Sequence, residues 1–458
     1  MFESKSKLNR IMEKIRVTKV TWISPRVLLY VAGFLDLFAV SLLVPLLAHE
    51  VRKYGASPTM VGLFLSIYGA LQLLSSPLMG QASDLFGRKR VLSFCLLGSA
   101  SGYFLLGFSH SLVFMFLARI PTGLLKHSQA IIKAYVADVT PPTQRPAALG
   151  TLNAICSSGF IIGPVIGGHI AMSQFGFQKV ATITGLIFFC NSIFVLFFVP
   201  DTEVELSSSD CSSNNEKVDG CDGGQGNDNK PSLNKTEAVG AVDAKKNESN
   251  TVLQSASEFV TAIRQVPWAS VADIFVVRFL SSLSMIIFRS SFNLILEYRH
   301  STSPKTNGYI MSYNAILGVV SGMSVGWIAK FFRSPESMHR FFSVTLVFAL
   351  TSISFAPNIV YIIIALIPLC ISTSILRVTS ATLMYKKGGE AEKGLLTGLS
   401  DSFMSMARMI GPTVGGIAQD INIYGPGIVS SFLAGFGTLL AFVFDLGKDN
   451  ALSKKKTS

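Results

Sequence analysis

Charge is scarce in this sequence. Asp, Glu, Lys and Arg supply 14% of its 458 residues, where a soluble domain carries about 25%. Too little charge is present to clothe a water-facing globule of this size. Cysteine is sparse as well: six residues, with neither disulfide-framework nor metal-ligand spacing. Four of them, Cys95, Cys156, Cys190 and Cys370, fall in apolar runs, and Cys211 and Cys221 fall in a polar segment. His127 and His169 stand alone, the usual pattern of packing histidines. No Ser/His/Asp constellation, phosphate loop or metal cluster stands out, so the reading is of a non-enzyme with no cofactor and no metal. A cleavable signal is not expected, because the first apolar run begins near Val27 behind a long basic lead.

What is present is apolar length. Hydrophobic residues reach 49% and mean hydropathy is +0.48. Runs of roughly 20 residues, the length that crosses a bilayer, recur along the chain. They lie near 27–47, 58–80, 90–108, 112–135, 147–171 and 178–199, then near 268–290, 306–328, 339–356, 359–383, 395–418 and 425–446. The expectation is an all-α membrane protein of 12 transmembrane helices, since a lipid-spanning backbone must be satisfied internally. A basic N-terminus (1–26) precedes a first bundle (27–200). A disordered linker (201–265), rich in Ser, Asn, Asp and Gly, separates it from a second bundle (266–447) and a basic tail (448–458).

The net charge of +12 does not point to nucleic acid, because of where it lies. Lys and Arg crowd the N-terminus, the hinge at Arg88, Lys89 and Arg90, the loops holding Lys330, Arg333, Lys386 and Lys387, and the tail. Opposite loops carry fewer. The positive-inside rule then puts both termini in the cytosol, with the basic ends against anionic lipid. Plasma membrane and endomembrane remain open alternatives. The sequons at Asn234 and Asn247 would lie in the cytosolic linker, away from glycosylation.

The two bundles repeat one another. Gly150, Gly159, Gly163, Pro164, Gly167 and Gly168 of span five recur in span eleven as Gly398, Ala407, Gly411, Pro412, Gly415 and Gly416. Ser57, Pro58, Gly62 and Gly80 of span two recur in span eight as Ser303, Pro304, Gly308 and Gly326. Glycines at four-residue steps give a helix a smooth face for close contact, which drives association in lipid. The first hinge reads GQASDLFGRKR, with Gly80, Asp84, Gly87, Arg88 and Lys89, and its second-half copy is degenerate.

Several charges fall inside spans, where an ionisable group faces a cavity or a partner. Asp36 lies about 15 Å from the start of span one at 1.5 Å per residue, which is mid-bilayer. Arg119, Lys126 and His127 are its candidate counter-ions, and the choice is left open between Lys126, favoured by depth, and Arg119. Lys126, His127 and Arg278 are candidates for a substrate cavity. Asp273 is shallower, and Arg289, Arg377 and Arg408 add cations that hint at an organic anion.

These patterns resemble the major facilitator superfamily, whose fold sets two six-helix bundles about a midplane site. GFLDLFAVSLLVPLL and the span-five glycines resemble tetracycline-type drug:proton antiporters. Across nearly all spans the chain is also similar to the animal group called major facilitator superfamily domain-containing protein nine. The resemblance implies a secondary active transporter of a small organic solute working by alternating access and proton-coupled, with antiport favoured. It implies Asp36 and Arg119 for proton coupling, the Asp84 hinge for gating, and glycines of an antiporter motif. A monomer is the expected working unit. The alternative is a receptor, scaffold or regulator that keeps the transporter fold.

Overall fold

The computed structural model describes residues 24–201, 268–388 and 393–444. The basic N-terminus, residues 202–267 of the linker region with Cys211, Cys221 and both sequons, and the basic tail lie outside the described residues. Thirteen α-helices are described. The first bundle holds α1 (Pro25–Lys53), α2 (Pro58–Leu85), α3 (Arg88–Gly107), α4 (Leu112–Leu125), α5 (Ser128–Asp138), α6 (Arg145–Ala171) and α7 (Gly176–Phe198). The second holds α8 (Trp268–His300), α9 (Pro304–Ala329), α10 (Pro335–Ser354), α11 (Ile359–Gly388), α12 (Lys393–Ile421) and α13 (Gly425–Val443). Because α4 and α5 are the two pieces of span four, the helices make twelve spans. Among the described residues nine stretches are long and apolar enough to cross a membrane by length and composition alone. The pieces α4 and α5 are too short singly, while α10 carries Glu336, His339 and Arg340, and α12 carries Asp401, Arg408 and Asp420.

The repeated Ser-Pro pairs are helix starts. Ser57 and Ser303 cap α2 and α9, accepting from the backbone N–H of Met60 (3.3 Å) and Thr306 (3.2 Å), with Pro58 and Pro304 in the first turn. Proline is tolerated there because that N–H has no intrahelical acceptor. Each bundle buries its own apolar cluster. One centres on Leu29, Leu42, Phe64, Leu92, Tyr135 and Phe188, and the other on Phe288, Leu296, Leu346, Leu350 and Leu366.

The repeated glycines divide into two contact sets. Within each bundle, Gly159, Gly163 and Gly167 of α6 lie on Phe38, Ser41 and Leu42 of α1, while Gly411 and Gly415 of α12 lie on Ile286, Ile287 and Ser291 of α8. Between the bundles, Gly62 and Gly416 face the carbonyls of Pro412 and Pro58, and Gly308 and Gly168 face those of Pro164 and Pro304. A Cβ at any of these four would collide with a backbone carbonyl. The pseudo-twofold pattern in the sequence therefore encodes the two seams, α2 on α12 and α6 on α9, where the halves touch.

The seams run along one side of the protein only. The near face is the side where α1 begins, and the far face the side where α1 ends. Hydrogen bonds joining the halves cluster toward the far face. Thr59 donates from its backbone N–H to Asp420 (2.9 Å), and Ser66 meets the backbone N–H and hydroxyl of Thr413 (3.1 and 2.8 Å). The Tyr309 hydroxyl lies 3.2 Å from His169 Nε2. Glu297 of α8 receives His49 (3.2 Å) and Arg52 (3.7 Å) of α1. Toward the near face, glycines of the same four helices, Gly80, Gly150, Gly318, Gly322, Gly326 and Gly398, look into open space. The halves are closed at the far face and spread at the near face.

Candidate functional site

Span four breaks at its polar core. Lys126 and His127 leave helical geometry, with φ/ψ of −81°/63° and −111°/7°. Polar side chains from α2 catch the loose backbone and ring: Gln72 Nε2 donates to the Lys126 carbonyl (3.0 Å), and the Ser75 hydroxyl lies 2.8 Å from His127 Nε2. The break points Lys126 at Asp36. Asp36 is 0% exposed. Its Oδ1 accepts from Lys126 Nζ and from the Ser128 hydroxyl, each at 2.5 Å, and its Oδ2 accepts from Gln129 Nε2 at 2.9 Å. Lys126 Nζ also lies 4.7 Å from the centre of the Phe188 ring. A carboxylate in a dry interior needs this saturation, since an unpaired buried charge costs several kcal/mol.

Of the two counter-ions the sequence leaves open, Lys126 is the one on Asp36. Arg119 sits instead over the rings of Phe64 (4.3 Å) and Tyr68 (5.9 Å), 5% exposed, with its Nε unpartnered. Ser128 and Gln129 are partners that the sequence reading passed over. Their signal is the run KHSQ, four polar residues in a row inside an apolar span.

Two cavities lie where the halves face each other. One, of about 220 Å³, is bounded by Val40, Leu43, Tyr68 and Arg119 of the first half and by Arg289 and Asn293 of the second. The other, of about 340 Å³, is bounded by Ser157 and Phe160 of the first half and by Arg289, Asn314, Thr373 and Arg377 of the second. Arg289 and Met311 border both, so the two spaces lie on either side of the same pair of side chains. Lys126, His127 and Arg278 are not among the residues that line them. Lys126 and His127 are buried in the first bundle. Arg278 borders a small gap between α8 and α12, beside Phe275, Phe279 and Ser400, with its Nη1 unpartnered. Asp273 pairs with Lys387 inside the second bundle.

The first hinge is braced within its own half. Gly87 has φ of 89°, in the left-handed region that favours glycine. Its neighbour Arg88 spreads its guanidinium over Asp84 (2.6 Å), Asp138 (2.9 Å) and Ser83 (2.7 Å). Lys89 is buried and pairs with Asp201 (3.5 Å). Asp84 remains 62% exposed, and among the described residues its ion pair is with Arg88.

A bilobed helical fold, a cavity between the lobes and one closed face together frame the comparison with known proteins. The Major Facilitator Superfamily profile matches residues 29–412. The chain belongs to the major facilitator superfamily. It is 25% identical over 399 residues to mouse solute carrier family 22 member 18, covering 85% of this chain and 88% of that one. It is 32% identical over 190 residues to the class D tetracycline resistance protein of Salmonella ordonez, covering 41% and 48%. Among solved structures, a bacterial homolog of the human lysosomal transporter Spinster, inward-facing and unoccupied, superposes with a TM-score of 0.67 at 12% identity, over 92% of this chain and 97% of that one. The superfamily is one of transporters and not of enzymes, and the protein is a multi-pass membrane protein of that fold.

Proposed function

We propose that the protein is a secondary active carrier that moves a small organic solute across its membrane by alternating access, coupled to protons. The observation that carries this reading is the cavity shared by the halves, sealed toward the far face by the α2–α12 and α6–α9 seams and spread toward the near face. Rocking the halves about those seams would exchange the side of access. The likeness to tetracycline resistance proteins and to a solute carrier supports export or exchange chemistry. The near face is cytosolic on this reading, because Arg26, Arg88, Lys89, Arg90, Arg145, Lys330 and Arg333 flank it. The working unit is a monomer in contact with lipid. Asp84, exposed here, would meet a helix end of the other half when the near face closes, a contact worth about 0.3–1 kcal/mol.

Proton coupling is assigned to the Asp36–Lys126 pair. A carboxylate and an amine in contact at mid-membrane can exchange a proton once water reaches them. The break in span four gives that pair a joint at which to move. Asp36 is sealed in this conformation, so loading belongs to another one. In proteoliposomes screened for uptake and efflux with and without a pH gradient, Asp36→Asn is expected to abolish gradient-driven accumulation and spare exchange. Accumulation that still follows the gradient would make the pair structural. A receptor or scaffold retaining the fold is the second reading, and absence of flux for every solute tested would favour it.

A further inference from the structure

Three arginines face the shared space: Arg119 from the first half, Arg289 and Arg377 from the second. No aspartate or glutamate among the described residues borders either cavity. Among the described residues no ion pair reaches any of the three. Two acids of the spans are engaged elsewhere, Asp36 by Lys126 and Asp273 by Lys387, and Asp401 of α12 is not among the residues lining either cavity. Arg119 is the most telling of the set. It is about nineteen-twentieths buried, its Nε has no partner, and it borders the cavity. A desolvated guanidinium without an acceptor is a costly arrangement, and one that an incoming anion repairs.

We infer that the cavity is the binding site for an organic anion, whose charged group sits among Arg289, Arg377 and Arg119 and so bridges the halves. This rests on the carrier reading above and names its substrate class. A guanidinium is suited to the task because its planar fork binds carboxylates, sulfonates and phosphates through paired charge-assisted hydrogen bonds. Asn314 adds a neutral donor. Its carbonyl oxygen accepts from the Cys370 thiol (3.0 Å), which leaves its amide N–H groups for the ligand. The rest of the lining mixes hydroxyl and amide side chains, Ser157, Asn293, Thr373 and Ser374, with apolar surface, Leu43, Leu65 and Tyr68 on one side and Phe160 and Val378 on the other. That apolar surface favours a carbon body over a small inorganic ion. Bridging also gives the cycle a logic. Without ligand, like charges on opposite halves oppose closure of the near face. With an anion between them the repulsion is neutralised, so the loaded carrier closes more readily than the empty one.

The test uses the purified full-length protein. Benzoate, naphthalene-2-sulfonate and naphthalene-1,5-disulfonate are titrated at fixed ionic strength against benzamide, benzylammonium and inorganic sulfate, with binding read by calorimetry and thermal shift. Saturable binding of the aromatic anions is expected, and weaker binding of the other three. Arg289→Gln and Arg377→Gln are expected to weaken the anions about tenfold or more, the loss of one charge-assisted contact. Arg377→Lys, which keeps the charge and loses the fork, is expected to fall between wild type and Arg377→Gln, and Arg333→Gln, which removes a charge outside the cavity, to retain full affinity. Aromatic anions that bind no better than benzamide or benzylammonium would overturn the inference. So would unchanged affinity in both glutamine variants. Sulfate binding as tightly as the sulfonates would overturn the organic class. Asp36-dependent flux of a neutral solute would leave the carrier reading standing while removing the anion site.

Discussion

Gly167→Ala is expected to lower the monodisperse yield and melting temperature of the detergent-solubilised protein, while Gly150→Ala leaves both unchanged or slightly raised. The two glycines belong to one repeated motif, and their surroundings differ. A Cβ at Gly167 would land on the main-chain carbonyl of Leu42 in α1, which cannot move without parting the two helices. Overpacking of that kind costs about 1–3 kcal/mol. A Cβ at Gly150 meets nothing within 4 Å, so alanine gains about 0.5–1 kcal/mol of helix propensity there. Gly163 falls between them. Its Cβ would meet the Ser41 side chain, the hydroxyl first and Cβ at 2.9 Å, so the hydroxyl must rotate away from the carbonyls of Phe38 (2.7 Å) and Gly159 (2.9 Å) and α1 must give slightly, less than a main-chain carbonyl would demand. Gly163→Ala is thus expected to fold, and Gly163→Leu to lose folded yield. Equal tolerance at 150 and 167 would mean that the α1–α6 contact does not constrain the motif.

Lys126→Met is expected to be the most damaging single change in the first bundle. It removes the cation from a carboxylate that has no exposure, and stranding one partner of a buried pair costs about 3–5 kcal/mol. Asp36→Asn is milder, because Lys126 keeps the Ser128 hydroxyl (3.1 Å) and the Phe188 ring as neighbours. Adding Asp36→Asn to Lys126→Met removes the stranded charge, so the double variant is expected to be more stable than Lys126→Met alone. Thermal melts of the three proteins measure the coupling. A double variant whose loss equals the sum of the single losses would deny the pairing.

Much of this architecture is legible in the residues themselves. The twelve spans follow from apolar length, and the Ser-Pro and Gly-Pro repeats mark both helix starts and the seams between halves. Two features are not legible, for identifiable reasons. Span four places its proline and glycine at Pro121 and Gly123, yet the helix runs on through both and breaks at Lys126 and His127, where neither glycine nor proline stands. The break is made by partners distant in sequence: Asp36 draws the lysine side chain across, and Gln72 takes up the carbonyl it exposes. Which of the span cations line the cavity is the second. The apolar run of span seven fades at Arg289, so that residue reads as a span end and Arg278 as mid-depth. The helix α8 has 33 residues, Trp268–His300, or about 50 Å at 1.5 Å per residue. Its middle lies beyond Arg278, and Arg289 rather than Arg278 reaches the shared cavity. The extra turns carry Glu297, Arg299 and His300 among buried apolar residues, and Glu297 pairs with the partner half, a long-range contact that hydropathy cannot register.

The central claim is that the two halves exchange the open face. Electron-paramagnetic distance measurements in lipid nanodiscs test it without knowledge of the substrate. One spin-label pair, on Leu85 and Ser402, spans the near ends of α2 and α12, and another, on Ser173 and Lys305, spans the far ends of α6 and α9. Two populations are expected at each pair, in opposite sense: where the near distance shortens, the far distance lengthens. Gly416→Ala, whose methyl would strike the Pro58 carbonyl at the far seam, is expected to shift both pairs toward the far-open population. A single fixed distance at both pairs, unmoved by Gly416→Ala, would contradict alternating access and leave a rigid protein that only keeps the transporter fold.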